Sequence, residues 1–309
     1  MPELAPKVVA ASRHPSATSA MAGIAFMAGG FFFYATSDML AKLLTQSMHP
    51  LQVAWTRQLG LFAVVLVLLT IHGTRVLRSR HPVLQLSRGL TAVVTSASFI
   101  FAVAYVPLAD AVTVTFVAPF IVTVLAALIL HESVGTRRWI AVALGFAGTL
   151  VVIRPGAGVF HPAIFLVLVT STAFALRQIL SRLLSGDEPI LTTIAYTGLT
   201  ASLLLTIPLP FIWTTPADWR VTLLMLGTAA TAGIAELAII RALELAQAVV
   251  LAPVQYTLMI WSTLWGFLVF GQLPDGWTVA GAAIIAASGA YSLWREYRLG
   301  RRLPAALPG

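Results

Sequence analysis

The sequence predicts an all-α integral membrane protein with ten transmembrane helices, arranged as a 5+5 inverted structural repeat around a central cavity. Three observations predict this fold class: an apolar composition, a series of apolar runs of membrane-spanning length, and a weak internal duplication. Of the 309 residues, 59% are hydrophobic and 10% are charged, whereas soluble domains have about 25% charged residues. A soluble protein of this composition could not cover its surface with polar groups, so the apolar surplus is expected to face lipid.

Ten apolar runs along the chain are candidates for membrane-spanning helices. A helix needs about 20 apolar residues to cross the hydrocarbon core of a bilayer. The connections between the runs are short and contain proline, glycine or charged residues, as at Gly186–Pro189 and Leu273–Gly276. The predicted spans are residues 21–44, 51–71, 84–105, 109–130, 136–153, 160–182, 190–213, 219–243, 246–270 and 276–294.

The distribution of lysine and arginine predicts the orientation, because cytoplasmic loops of membrane proteins are enriched in these residues. With a cytoplasmic N-terminus, the opposite side of the membrane holds Lys42, Arg154 and Arg220, while Arg57 and Arg177 fall within spans. The cytoplasmic side then holds Lys7, Arg13, Arg75, Arg78, Arg80, Arg88, Arg137, Arg138, Arg182, Arg241, Arg295, Arg298, Arg301 and Arg302. This asymmetry predicts a multi-pass protein of the bacterial inner (plasma) membrane with both termini in the cytoplasm.

The two halves of the chain resemble each other at a nearly constant offset. Ala41–Leu44 corresponds to Ser181–Leu184, and Leu108–Val112 corresponds to Leu245–Val249. Each half contains five predicted spans, and an odd number of spans inverts the second copy relative to the first. The predicted domains are a cytoplasmic N-terminal tail at residues 1–20, a first five-helix repeat at 21–155, a second five-helix repeat at 156–295 and a cytoplasmic C-terminal tail at 296–309.

Matched prolines, Pro119 and Pro253, lie inside the fourth and ninth predicted spans. A proline within a helix removes one backbone hydrogen bond and kinks the helix, and in a membrane the freed carbonyl needs a partner or a wet cavity. Secondary transporters built from inverted repeats expose a site near the middle of the membrane alternately to its two sides. The two prolines are therefore predicted to be hinges beside a central cavity, the alternative being that proline is simply common in membrane helices.

Four charged residues fall within the predicted spans, where a charge is costly and is usually paired or facing water. Asp38 and Arg57 lie at a similar distance from the turn that joins the first two spans. Arg177 and Glu236 lie at similar depth in the sixth and eighth spans. We expect two ion pairs, Asp38–Arg57 and Arg177–Glu236, which could act as permanent links between helices, as gates, or as binding groups for substrate or protons.

Aromatic and small polar residues within the predicted spans are candidates for contact with a ligand, because transport sites are commonly apolar with few polar groups. The alternatives are aromatic rings at the membrane interface and hydroxyl groups that link helices. The candidate lining residues are Tyr34, Ser98, Phe101, Phe116, Gln255 and Tyr256.

Several classes of chemistry have no support in the sequence. The chain has no cysteine, and its six histidines fall in loops or at the ends of spans. We found no metal-ligand cluster, nucleotide-binding loop or nucleophile motif. The sequence therefore predicts no enzyme activity, no cofactor and no metal site. The expected partners are a small-molecule substrate and the lipid bilayer, with no nucleic acid and no obligate protein partner.

Three segments of the first half resemble the signature of the drug/metabolite transporter superfamily, EamA type. They are Ala104–Ala111, Phe116–Phe120 and Leu130–Glu132, and the second half repeats part of the pattern at Pro253 and at Gly271-Gln272, with glutamine where glutamate is usual. The resemblance implies ten helices around a cavity lined by spans 1, 3, 4, 6, 8 and 9. Bacterial aromatic amino-acid exporters of the YddG type are similar.

The expected function is that of a secondary transporter that exports or exchanges small neutral amino acids, aromatic ones included, and related metabolites by alternating access. An exporter of drugs or other metabolites is one alternative. A lipid scramblase or a structural membrane subunit is another. Proton coupling, exchange and facilitated diffusion all remain open at this stage.

Overall fold

The computed structural model describes residues 17–132, 134–154, 161–184, 187–246 and 248–300. All regular secondary structure within these ranges is helical. The α-helices are α1 (Ala17–Leu44), α2 (Pro50–His72), α3 (Pro82–Tyr105), α4 (Leu108–Thr115), α5 (Ala118–Ile129), α6 (Thr136–Ile153), α7 (Ile164–Leu184), α8 (Ile190–Thr206), α9 (Leu209–Ile212), α10 (Trp219–Leu245), α11 (Ala248–Leu251), α12 (Thr257–Phe270) and α13 (Gly276–Gly300). Two 3₁₀ helices span Gly73–Leu77 and Ala252–Tyr256.

Seven helical segments among the described residues are long and apolar enough to cross a membrane. They are Met21–Leu44, Pro50–Leu77, Pro82–Tyr105, Leu108–Ile129, Thr136–Ile153, Ile164–Leu184 and Trp219–Leu245. The other three expected spans correspond to α8, which ends before Pro208, to the short helices α11 and α12, and to α13. The ten-span expectation is therefore met by seven segments and remains a prediction for these three.

The matched prolines coincide with breaks in the helices that contain them. α4 ends at Thr115 and α5 begins at Ala118, with Pro119 in its first turn. In the second half, α11 ends at Leu251 and a 3₁₀ helix that contains Pro253 leads into α12. Proline cannot donate the backbone hydrogen bond that would continue the preceding helix. The two halves are thus interrupted at corresponding places.

The helices that follow these breaks also end in the same way. His131 after α5 and Gly271 after α12 both have left-handed backbones, with φ of 54° and 65°. The next backbone N–H reaches back six residues in each case, from Glu132 to the Ala126 carbonyl at 3.3 Å and from Gln272 to that of Gly266 at 2.9 Å. A left-handed residue directly after the last turn is a common way for a helix to end. The backbone forms it without the side chain, so glutamine is accommodated where the first half has glutamate.

Helix packing joins the first half of the chain to the second. α1 packs along α10, α3 along α7, and α6 along α13, while α2 contacts both α8 and α10. Two glycines allow the close approach of α2 and α10, since a Cβ on Gly60 would overlap the carbonyl of Ala229 and one on Gly233 would lie 3.1 Å from the Gly60 carbonyl. Small residues commonly allow such close contact between membrane helices.

The largest buried apolar cluster lies toward one end of the bundle. It includes Leu44, Val53, Val106, Leu108 and Ile153. These residues lie at or near the ends of their helices, and these helix ends lie together in the fold. We call this end of the bundle, where α1 ends, the Lys42 end. The opposite end, where α7 ends, is the Arg182 end. The core thus closes the space between the helices mainly at the Lys42 end.

Candidate functional site

A cavity of about 570 Å³ lies between the two halves of the chain. Its lining residues recur at helical spacing, because side chains three, four and seven positions apart share one face of a helix. α1 contributes Met27, Phe31, Tyr34 and Asp38; α3 contributes Arg88, Ala92, Thr95, Ser96 and Phe99; α7 contributes Thr170, Ser171, Phe174, Arg177 and Gln178; and α10 contributes Ala232, Glu236, Ile239 and Leu243. Residues of α2, α4, α5, α8, α12 and the segment at 251–255 complete the wall.

Asp38 and Arg57 form the ion pair expected from the sequence. Arg57 Nη1 lies 2.9 Å from Asp38 Oδ1, and both residues line the cavity. The Arg57 guanidinium also lies 5.4 Å from the centre of the Tyr34 ring. Asp38 is 4% exposed, and a charge buried to this degree in a membrane requires a partner. The pair therefore places compensated charge in the wall, next to the closed Lys42 end.

Glu236 has a different partner from the one that we expected. The Tyr34 hydroxyl donates a hydrogen bond to Glu236 Oε2 at 2.5 Å, which joins α1 to α10. The Arg177 guanidinium lies over the Phe174 ring, 4.9 Å from its centre. No ion pair joins Arg177 to Glu236 among the described residues, so the expected pairing of these two side chains is corrected. Both still line the cavity; equal depth brought them into one wall but did not bring them into contact.

Arg88 lines the cavity, although the distribution of lysine and arginine predicted it to lie in a cytoplasmic segment. Its Nε donates to Ser181 Oγ at 2.8 Å, and its Nη1 donates to Thr197 Oγ1. These bonds tie α3 to α7 and α8. The signal that could have identified Arg88 is its spacing, since it lies four and eight residues before Ala92 and Ser96 on one face of α3.

Uncharged polar groups also face the cavity. Ser96 is buried, and its hydroxyl has no hydrogen-bond partner among the described residues. Thr115, Ser171 and Gln255 line the same space. Buried polar groups are usually hydrogen-bonded, so an unpartnered hydroxyl in a cavity wall is available to a ligand. No cluster of three or more metal-ligating side chains occurs in the part of the chain that the structure describes.

The remaining candidate residues divide into two groups. Tyr34, Phe116, Pro119 and Gln255 line the cavity. Four others lie outside its lining: Ser98 Oγ is 2.8 Å from Thr170 Oγ1, Phe101 lies edge-on to the His49 ring, Tyr256 stacks on Phe116 with ring centres 5.1 Å apart, and Pro253 is exposed in a 3₁₀ helix. Ser98 thus links α3 to α7 by a hydroxyl contact between helices.

The Lys42 end is tied together by polar contacts, some within one half of the chain and some between the two halves. Lys42 Nζ donates to the Val106 carbonyl at 2.5 Å and lies 5.3 Å from the centre of the Phe270 ring. Arg154 pairs with Asp275. The backbone N–H of Thr278 donates to Asp275 at 2.8 Å. This hydrogen bond is the main reason why the pKa of the Asp275 carboxyl lies below its usual range, and Arg154 lowers it further.

The Arg182 end is linked mainly through exposed or partly exposed groups. The Glu188 carboxylate accepts hydrogen bonds from Ser79 Oγ at 2.8 Å and from the backbone N–H groups of Arg80 and His81 at 2.5 and 3.0 Å. Burial raises the pKa of the Glu188 carboxyl, but these hydrogen bonds outweigh it and hold the pKa below its usual range. Arg182 lies 3.2 Å from Glu132, with half of its side chain exposed.

The sequence of this chain matches one family of membrane proteins in both halves. Residues 21–154 match the EamA-like transporter family, and residues 161–293 match it a second time. The chain belongs to the EamA-like transporter family. The match confirms the resemblance drawn from the proline-containing segments, and it shows that the EamA domain is duplicated within the chain.

Relatives of this EamA-family chain include transporters of several different compounds. The S-adenosylmethionine uptake transporter of Rickettsia prowazekii (strain Madrid E) is 26% identical over 84% of this chain and 88% of the relative. A riboflavin transporter of Vibrio cholerae serotype O1 is 31% identical over 71% of this chain and 74% of the relative. The pseudopaline exporter CntI of Pseudomonas aeruginosa (strain UCBPP-PA14) is 23% identical over 83% and 90%. These relatives support a multi-pass membrane transporter.

A solved crystal structure has the same overall fold. It superposes with a TM-score of 0.56 at 21% sequence identity, over 91% of this chain and 98% of that chain. The expected likeness to YddG-type amino-acid exporters receives no support from the relatives named above, whose compounds are not small neutral amino acids.

Proposed function

We propose that this protein is a secondary transporter that carries a small polar metabolite with a planar ring through the central cavity by alternating access. The observation that supports this most strongly is the cavity wall, which combines charges of both signs with aromatic faces. Phe31, Phe99, Phe116 and Phe174 line the same space as the Asp38–Arg57 pair. A volume of about 570 Å³ falls within the range of small-molecule sites, roughly 300–1,000 Å³.

The substrate class in this proposal is broader than small neutral amino acids. The compounds named for the relatives, S-adenosylmethionine, riboflavin and pseudopaline, are larger than these amino acids. A metabolite with a ring and a charged group would use both the aromatic and the ionic parts of the wall. Aromatic amino acids are the smallest members of this class, and they remain candidates beside other metabolites.

The inverted repeat and alternating access are supported by how the two halves correspond. α1 and α10 are the first and eighth expected spans, and they pack against each other. α3 and α7 are the third and sixth expected spans, and they also pack against each other. Exchange of the two halves turns one contact into the other. The matched helix breaks at Pro119 and Pro253 supply corresponding places at which each half can bend.

The proposed orientation puts the Lys42 end outside and the Arg182 end in the cytoplasm, because the lysine and arginine residues are concentrated on the latter side. The cavity lining includes the exposed Gln178 and Leu243, which lie toward the Arg182 end. The structure then corresponds to a state in which the site communicates with the cytoplasm, and the apolar core separates it from the outside.

Transport by purified protein in liposomes tests this function. The substrates are labelled S-adenosylmethionine, riboflavin, tryptophan and phenylalanine, each measured with and without a pH gradient and compared with empty liposomes. We expect saturable uptake of at least one compound. A double substitution of the ion pair, Asp38→Ala with Arg57→Ala, serves as the impaired control. Absence of uptake of all four by protein shown to be folded would reject the proposal, and movement of a fluorescent lipid between leaflets in the same vesicles would favour a scramblase.

A further inference from the structure

The described lining of the cavity carries more positive than negative charge. It contains three guanidinium groups, on Arg57, Arg88 and Arg177, and two carboxylates, on Asp38 and Glu236. Arg57 and Asp38 lie 2.9 Å apart and compensate each other. The rest of the wall therefore sets two guanidinium groups against the single carboxylate of Glu236, which leaves a net charge of one positive unit among the described lining residues.

The N–H donors of the Arg177 guanidinium are not occupied by the described residues. It forms no hydrogen bond and no ion pair with the residues of the described ranges, and its contact is the face of the Phe174 ring, 4.9 Å from the ring centre. A guanidinium group that lies over an aromatic ring keeps its five N–H donors in its own plane, where they can meet a carboxylate through two parallel hydrogen bonds.

Arg88 is held in place by neutral groups. Its two hydrogen bonds go to the hydroxyl oxygens of Ser181 and Thr197, on α7 and α8. Hydroxyl groups orient the guanidinium but do not cancel its charge. Because Arg177 also lies on α7, the contact between α3 and α7 places both guanidinium groups in the same part of the cavity wall.

An unpartnered hydroxyl lies on the same face of α3. Ser96 follows Arg88 by eight residues, about two helical turns, and its buried hydroxyl has no hydrogen-bond partner among the described residues. Ser96 also lines the cavity. A polar group left without a partner in a buried wall is stabilised when a ligand supplies a hydrogen bond.

We infer that Arg88 and Arg177 form a carboxylate-binding subsite, with Ser96 as an additional polar contact and the Phe174 ring beside it. The inference rests on the proposed function, because it names the chemical group by which the transported metabolite is held in the same cavity. A carboxylate contributes one negative charge, which matches the single uncompensated positive charge. A phosphate monoester carries close to two negative charges near neutral pH and would leave an excess of one negative charge.

Binding to the purified full-length protein in detergent tests the subsite with four probes that share one ring. These are 3-phenylpropionate, phenylalanine, phenethylamine and phenyl phosphate, and their affinities are measured by calorimetry. The substitutions are Arg177→Gln and Arg88→Gln, with Arg177→Lys as a variant that retains the charge. Arg241→Gln is the matched control, because Arg241 is exposed, pairs with Glu244 and lies outside the cavity lining. Thermal unfolding checks that each variant is folded.

We expect 3-phenylpropionate and phenylalanine to bind more tightly than phenethylamine and phenyl phosphate. Arg177→Gln and Arg88→Gln should each weaken 3-phenylpropionate by about tenfold or more, since charge-assisted hydrogen bonds are lost, and Arg177→Lys should weaken it less. Phenethylamine should be unaffected or improved. Equal binding of 3-phenylpropionate by wild type and folded Arg177→Gln, tighter binding of phenyl phosphate, or no binding of 3-phenylpropionate to the wild type would overturn the inference.

The liposome assay separates a failure of this inference from a failure of the proposed function. If a compound without a carboxylate is transported and Arg177→Gln transports it at the wild-type rate, the transporter function stands and the carboxylate subsite is rejected. If no compound is transported by folded protein, the function itself is rejected.

Discussion

Lys42 and Arg182 occupy corresponding positions in the two halves of the chain, yet their side chains have opposite environments. Lys42 is 8% exposed, donates to the Val106 carbonyl and lies over the Phe270 ring. The Arg182 side chain is 52% exposed and pairs with Glu132 at the surface. Of these two corresponding cations, Lys42 is therefore a buried link between helices and Arg182 is part of a surface ion pair.

The buried apolar clusters at the two ends also differ, and the larger cluster lies at the Lys42 end. The large apolar cluster includes Leu44, Val106 and Leu108 at the Lys42 end. A smaller cluster of Met27, Ala242, Ala246 and Leu251 lies toward the Arg182 end. Apolar burial stabilises roughly in proportion to area, so the Lys42 end is the more firmly closed. Under alternating access, the other state would bury the Arg182 link and release the Lys42 link.

Removal of one partner of the Asp38–Arg57 pair should have the largest effect, because it leaves the other partner as an unpaired charge. The second half has no such charge at the position that corresponds to Asp38, which is the uncharged Gln178. Asp38→Ala leaves Arg57 as an uncompensated buried charge, and we expect a loss of stability of about 3–5 kcal/mol together with loss of transport. The measurements are thermal unfolding in detergent and initial uptake rates.

The charge swap Asp38→Arg with Arg57→Asp is the control for this prediction. It should restore part of the stability and of the transport rate, since the pair is re-formed in reverse. If the swap performs no better than Asp38→Ala, the two residues do not act as a pair. Gln178→Ala should have little effect on stability.

Lys42→Gln should open the Lys42 end. The substitution removes a charged hydrogen bond to the Val106 carbonyl, worth about 1.5–3 kcal/mol, and shifts the equilibrium between states by about tenfold or more. Because the chain has no cysteine, a single Thr115→Cys reporter in the cavity wall can be labelled with a membrane-impermeant maleimide from each side of oriented vesicles. Labelling from the Lys42 side should increase.

Arg182→Gln is the matched variant at the opposite end. Its ion pair is exposed and contributes about 1 kcal/mol or less, so labelling of Thr115→Cys from the Lys42 side should not increase. If the two substitutions change the labelling equally, the buried Lys42 contact does not stabilise its end of the bundle more than the exposed Arg182 ion pair stabilises the other.

The two prolines should differ in their effect on transport. Pro119→Ala should slow uptake more than Pro253→Ala, because Pro119 lines the cavity at the break between α4 and α5, whereas Pro253 is exposed. Expression and thermal stability should remain near the wild-type values, since alanine restores helical hydrogen bonding. Initial uptake rates check this; unchanged rates in both variants would exclude a hinge role.

The smallest effect should be a loss of stability in acid that arises from Glu188 at the Arg182 end. Its folded pKa is depressed below the ordinary value of 4.5, so its contribution is complete above that pH and is lost as the pH falls through the folded pKa. Glu188→Gln should therefore lower stability at neutral pH and flatten its decline below pH 4.5. Unfolding temperatures between pH 3 and 7 measure this, and an unchanged profile would show that the Ser79–Glu188 contact is not stabilising.

The sequence by itself determined the helical class, the membrane environment, most of the spans and the family, because these depend on composition, run length and local motifs. It also located the two helix breaks, since proline acts on the backbone wherever it stands. The Asp38–Arg57 pair was predictable because a short turn joins the two helices, so distance along the chain fixes distance in space.

Only the tertiary structure decided which side chains meet across the cavity. Glu236 accepts its hydrogen bond from Tyr34, and Arg88 belongs to the wall, where it reaches Ser181 and Thr197. Each contact depends on the rotation of a helix about its axis and on the packing of helices distant in sequence. Depth in the membrane follows from residue number, but helix rotation is set by packing against neighbouring helices, and this packing made Lys42 a buried link and left Arg182 at the surface.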